Sequence, residues 1–218
     1  METLTNWLEW SPTMLQGLWV SLQVTLLALL FGVPLGLVLA VLSGFKNRVV
    51  KWIVIIYIEV GRGMPALVML QMVYFGLPDA GIVLSSYTAT VVALALTTSA
   101  YTSEIIRAGL RAVPEGEIEA ANALGLKSSD TMRFIIAPQG FRIALPTLLG
   151  FAILILQVSS LAFTLGLPEL LSQAYSIGAS TFQYLSALTL AGIMYLIITV
   201  PGGWLVEGLE KRMSRHLV

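Results

Sequence analysis

Glu119-Ala120-Ala121, with Gly125 shortly after and Ile135 and Pro138 beyond, form a polar, helix-forming island inside an apolar chain. Pro114 precedes Glu115, Glu117 and Glu119, and acids at a helix start favour the positive end of its macrodipole. Ala120, Ala121 and Ala123 keep one surface low, so another protein can approach the backbone closely. Gly125 suits a left-handed cap at the end of this helix. Ser128 and Ser129 can cap a second helix to about Ile136, which Pro138 would close. Residues of these types do the chemistry of docking.

Two charge pairs, Glu59 with Arg62 and Glu104 with Arg107, each lie three residues apart on one helix face. A charge at the bilayer centre costs ~3 kcal/mol on insertion scales. Each pair is therefore expected to neutralise itself at the cytoplasmic rim. Gly61, Gly63 and Pro65 break helical regularity around the first pair and allow close packing, as a hinge or as a static kink. Bond-breaking chemistry finds no support. The chain has no cysteine, its one histidine is His216, and neither H-E-x-x-H nor G-x-S-x-G occurs. No Gly-Lys dipeptide exists, so there is no Walker A loop and no ATPase centre.

The elements that must carry these groups are membrane spans. A chain of 218 residues, 57% hydrophobic and 11% charged, with mean hydropathy +0.87, cannot hide its apolar surface in one soluble core. A span needs ~20 apolar residues, and the uncharged runs place helices near 15–43, 53–77, 82–108, 140–165 and 184–208. The second is interrupted by Glu59, Gly61, Arg62, Gly63 and Pro65, so it is either a span or an interfacial helix that breaks and dips inward. Residues 170–182 read as a surface or re-entrant segment. Residues 1–12 lack the basic start of a signal peptide. They suit a short interfacial helix stopped by Pro12, with Trp7, Trp10 and Trp19 at headgroup level.

Five spans put all twelve basic residues on or beside one face. Glu2, Glu9, Asp79 and Glu169 are left on the other. The positive-inside rule then predicts an outside N-terminus and a cytoplasmic C-terminus. No internal repeat is evident, and an odd number of spans argues against an inverted-repeat carrier. Five helices do not easily enclose a solute path, so a second subunit is expected to complete it.

The island resembles the E-A-A-x-x-x-G-x(9)-I-x-L-P loop of ABC importer permeases, with Ala137 where the family usually has Leu. Arg62-Gly63-Met64-Pro65-Ala66-Leu67-Val68 and Tyr74-Phe75-Gly76-Leu77-Pro78 are similar to the R-G-T-P-L-L-V and Y-F-G-L-P blocks of polar amino-acid permeases. Ala100-Tyr101 through Arg107 resembles A-Y-x-x-E-I-x-R. Pro138-Gln139, Arg142 and Leu145-Pro146 resemble P-Q-A-x-R-x-x-L-P, and Ser160-Leu161-Ala162 resembles T-S-L-A. The likeness runs from about residue 15 to 212, in the histidine/arginine/glutamine-type branch. It implies an all-α integral membrane protein with five spans and the type I ABC importer permease fold. Residues 1–218 would be a single permease domain with a cytoplasmic coupling loop at about 109–139.

The resemblance also implies the work. The chain would be the non-catalytic subunit of an ATP-driven amino-acid importer in the bacterial inner membrane. ATP and Mg would be bound by two separate ATPase subunits, docked on Glu119, Ala120, Ala121, Gly125, Ile135 and Pro138. The other implied partners are a second permease subunit, identical or not, an external solute-binding protein, lipid and the amino acid itself, with no nucleic acid. The binding protein would touch 78–82 and 167–180. Candidate substrate contacts are Thr97, Tyr101, Gln157, Ser159, Ser160 and Thr164. Met69 and Phe151 stand where relatives carry Gln and, in importers of cationic amino acids, a carboxylate. Phe151, Met69 and Val158 would line an apolar pocket that disfavours a bare charge. An ion-coupled carrier is the competing reading, but the apolar interiors hold no acid for a proton relay; a non-transporting adaptor is another. The topology has a direct check: a reporter fused after Val218 that needs an oxidising external compartment should be inactive, and activity there would overturn the five-span orientation.

Overall fold

The computed structural model describes residues 2–45 and 47–214; Lys46, Arg215 and His216 lie outside them. The chain is all-helical there. Four helical runs are long and apolar enough to cross a membrane: Thr5–Leu42, Ser86–Arg111, Ser128–Leu165 and Tyr184–Met213. A fifth span exists if the bent pair Arg48–Gly63 and Ala66–Ala80 is taken as one. The expected five therefore hold with the weak second helix broken.

The first helix, α1 (Glu2–Leu42), runs straight through Pro12. The expected stop fails because Ser11 Oγ donates to Leu8 O at 2.9 Å, the carbonyl that a proline at 12 leaves without its N–H. Trp10 is buried with Met14, Leu170, Ala174 and Ala187, while Trp19 is exposed. Trp7 Nε1 donates to Ser186 Oγ at 2.9 Å, which ties the start of the chain to its last helix.

The centre of the bundle is α4 (Ser86–Arg111). Its apolar window is 72% buried, against 28–39% in the other three long runs. Small side chains make that possible, because without a hydrophobic drive between helices close van der Waals approach is what holds a bundle together. Gly32 and Gly36 of α1 meet Thr98 and Thr102 of α4. A Cβ at Gly32 would lie 2.6 Å from Thr98 Cβ, and one at Gly36 would collide with Thr102 Oγ1.

On the other flank lie α2 (Arg48–Gly63) and α3 (Ala66–Gln71), whose run turns through 108° at Met64-Pro65. Met64 is extended, with φ −82° and ψ 129°, as the residue before a proline must be. Gly61 is the close-approach glycine, since its Cβ would come within 2.7 Å of Ala100; at Gly63 there is open space. The run beyond α3 winds on as a π turn and a 3-10 turn to Ala80.

After α4 come α5 (Glu115–Ala123) and α6 (Ser128–Thr131), then a π turn over Met132–Ile136 leading into α7 (Ala137–Val158). Pro138 does not close the second loop helix as predicted. It sits in the first turn of α7, directly after the π turn, where wider winding relieves the missing donor and the bulk of its ring. Nor do Ser128 or Ser129 cap: Lys127 holds the cap position, without a side-chain bond. The fourth span thus starts at Ser128, a dozen residues before its predicted beginning, and continues to Leu165.

The 170–182 segment is a helix, α8 (Leu170–Thr181), packed between α1 and α9 (Tyr184–Ser214). Glu169 caps it. The carboxylate accepts from Ser172 N at 2.7 Å and Leu171 N at 2.9 Å, and from Tyr195 OH at 3.2 Å and Ser21 Oγ at 3.4 Å. Glu169 is fully buried, whereas Glu9 and Asp79 are exposed. Burial pushes its carboxyl above the ordinary glutamate range, against the pull of these four hydrogen bonds. The native state then holds the proton longer than the unfolded chain does. Its contribution to stability is full below the ordinary glutamate value and is lost as pH rises through the raised one. Glu169→Gln, which cannot titrate, should narrow the fall in melting temperature between about pH 5 and about pH 8. An unchanged difference in melting temperature would refute that role.

Candidate functional site

A cavity of about 220 Å³ opens at the bend between α2 and α3. Of the predicted residues it gathers Arg62, Gly63, Pro65, Thr97, Tyr101 and Phe151. Each is placed by its helix. The bend leaves Arg62 O outside a regular helix, and Tyr101 OH of α4 donates to it at 3.0 Å. The Tyr101 ring stacks on Phe151 of α7, with centroids 5.2 Å apart and planes 24° apart. One tyrosine thus joins the three helices that wall the cavity. Leu154, Ile155 and Val158 complete an apolar side.

Polar groups at this cavity are few. Thr97 is buried and its Oγ1 has no hydrogen-bond partner. A buried hydroxyl left unpaired costs about 1–3 kcal/mol, and Thr98 next to it on α4 is unpaired in the same way. Arg62 reaches Glu59 only at 3.8 Å, with side-chain exposures of 39% and 68%. Beside Tyr101, it lies about 15 Å along α4 from the end at Arg111. Glu104 and Arg107 do neutralise each other, at 2.6 Å, nearer that end.

Other candidates lie elsewhere. Ser159, Ser160 and Thr164 turn their hydroxyls back onto Leu156 O, Gln157 O and Leu161 O at 2.7, 2.7 and 2.8 Å. These back-bonds hold the hydroxyls on their own helix, as those of Ser99 and Ser103 do in α4. Gln157 is exposed and does not line the cavity; Met69 packs into the core beside Leu70 and Val73. Met64 and Leu154, both lining residues, carry no polar signal that a sequence pattern could single out.

The second site is the loop between α4 and α6. Leu126 N donates to Ala121 O at 3.1 Å and Gly125 N to Asn122 O at 3.0 Å, the paired bonds of a Schellman end. Gly125 has φ +74°, as its place after α5 predicts. Glu119, Ala120 and Pro138 are exposed, and Ile135 is half-buried. Ala121, expected on the low outer face, is buried and packs the helix down instead. The tip presents Leu124 and Phe134, 80% and 66% exposed. Gln139 Nε2 donates to Glu117 Oε2 at 3.4 Å, which links α5 to α7.

Known proteins share this arrangement. A family model described as a binding-protein-dependent transport system inner membrane component matches residues 32–215. The chain is 34% identical over 206 residues to the arginine transport system permease protein ArtQ of Bacillus subtilis, covering 94% of each. It is 36% identical over 211 residues to the histidine/lysine/arginine/ornithine transport system permease protein HisM of Escherichia coli K12, covering 92% of this chain and 89% of that one. A crystal structure of an amino acid ABC transporter with histidines superposes at a TM-score of 0.91 and 36% identity, over 94% of this chain and 96% of that one. An inward-facing MetNI methionine ABC transporter shares the fold at a TM-score of 0.68 and 21% identity, over 90% and 96%.

The tyrosine at the cavity is open to a graded test. Tyr101→Phe keeps the stack and loses the bond to Arg62 O, and should lower the unfolding free energy by about 1 kcal/mol. Tyr101→Ala, which also loses the stack, should cost more; equal melting curves for all three proteins would remove Tyr101 from this role.

Proposed function

The chain belongs to the binding-protein-dependent transport system inner membrane component family, and from that membership we propose how its parts share the work. It is the permease subunit of an amino-acid ABC importer, a multi-pass protein of the bacterial inner membrane. It is not an enzyme and carries no cofactor; a separate ATPase and a binding protein are its partners. In our reading two such permeases, each on its own ATPase subunit, flank one solute path, with ATP and Mg in the ATPases. The N-terminus lies outside and the C-terminus in the cytoplasm. The binding protein sits on 78–82 and on the exposed flank of α8, with Glu169 excluded by its burial.

The observation that carries the coupling role is the tip of the loop between two spans. Leu124 and Phe134 are large, apolar and exposed on a segment that composition places in water. Such groups await a partner, and the Schellman end fixes their direction. The cavity at the bend is the substrate station. Arg62 takes the α-carboxylate of the amino acid and the free Thr97 hydroxyl a second polar group, with the side chain against Phe151 and Leu154.

The relatives are named for arginine, histidine, lysine and ornithine, yet no acid lines this cavity. An unpaired cationic side chain beside Arg62 is strongly disfavoured. The substrate is therefore an amino acid with an uncharged side chain, or the partner permease of a heterodimer supplies the countercharge. ATP-driven uptake in proteoliposomes holding the full complex tests both sites. Gly125→Val forces a β-branched residue to positive φ, and with Glu119→Lys it should abolish uptake while the chain still inserts. Normal uptake by both variants would rule out the loop as the coupling element. In the same assay neutral amino acids should compete best. A preference for arginine or lysine in a complex containing only this permease would contradict both substrate readings.

A further inference from the structure

A second cavity, of about 330 Å³, lies between the end of α1, the start of α2 and the end of α4. Its floor is apolar, with Ala40, Ile55 and Leu110. Three cations, Lys51, Arg107 and Arg111, line it, and no acid does. Arg107 is already neutralised by Glu104 at 2.6 Å. Among the described residues neither Lys51 nor Arg111 has a carboxylate within 4.0 Å, so both face the cavity without one. Two like charges brought together without a counterion repel, and an anion between them removes the repulsion.

The surroundings say which anion. Just before α2 and on its first turns, Phe45, Val49, Trp52 and Ile53 are 49–68% exposed, a set of apolar side chains that belongs in hydrocarbon. Trp52 is next to Lys51 in sequence, a pairing of aromatic and cation typical of headgroup depth. Cations above an apolar floor, opening toward lipid at the basic side of the membrane, match a phosphodiester and its glycerol better than a freely diffusing ion. Arg111 offers a fork to two phosphate oxygens and Lys51 a point charge.

We propose that this cavity binds the phosphate of an anionic phospholipid, held by Lys51 and Arg111, and thereby fastens the start of α2 to the end of α4. This rests on the membrane placement of the chain, and not on the coupling or substrate roles, so those could fail while it stands.

The test uses the full transporter with its partner subunits, reconstituted in vesicles of equimolar phosphatidylglycerol and phosphatidylcholine and then re-extracted in neutral detergent. The retained lipid is measured by mass spectrometry. The unaltered complex should keep phosphatidylglycerol in excess over phosphatidylcholine, and Lys51→Gln with Arg111→Gln should cut that excess roughly tenfold. Lys51→Arg with Arg111→Lys should retain most of it, which separates charge from misfolding, and Arg142→Gln should retain all of it. Adding inorganic phosphate distinguishes the two sources of the anion. Displacement of the lipid by millimolar phosphate would make this a free-anion site, and an unchanged excess in the double glutamine variant would overturn the proposal outright.

Discussion

A backbone amide or carbonyl inside hydrocarbon has no water to turn to, and that constraint shapes this molecule. Helices meet it along most of their length, and at three of the interruptions a side chain takes over. Ser11 donates to the carbonyl left over by Pro12. Tyr101 reaches across from α4 to Arg62 O at the bend. Glu169 accepts two amides at the start of α8. Because Tyr101 answers Arg62 O, the chain can bend through 108° beside the cavity without leaving that carbonyl stranded.

The same economy governs the charges. Glu104 and Arg107 cancel within one helix turn, and the loop acids sit on exposed turns where water screens them. Arg62 is the exception, far from the basic end of α4 and poorly paired. A cation held so loosely beside an unpartnered threonine hydroxyl is costly in an empty structural cavity. It is reasonable where a zwitterion is to be received.

Much of this was legible in the residues because its causes are local. Apolar runs report spans, Pro114 and Gly125 report the ends of α5, and the residue before Pro65 must be extended. What stayed hidden depends on rotation about helix axes and on partners distant in sequence. Nothing in Ser159, Ser160 or Thr164 tells that their hydroxyls will bond back onto their own helix, while Thr97 on α4 makes no such bond. A lone glutamate before Leu-Leu-Ser looks like an outer surface acid until α1 and α9 close over it. Gly32 and Gly36 draw no notice along the chain, because their meaning lies in the helix they face.

The continuous run from Ser128 to Leu165 has one more consequence. At ~1.5 Å per residue it is a connecting rod of about 57 Å, longer than the hydrocarbon core is thick. One end is seated in the docking loop. The other stops at Gly166, whose φ of +71° makes a sharp joint just ahead of the knot that Glu169 ties among α1, α8 and α9. Loop and knot are thus joined by one helical run, and their separation is set by residue number. Each residue added to or removed from the run would turn one end by about 100° against the other, so the phase between the loop and the Glu169 knot is written in its length.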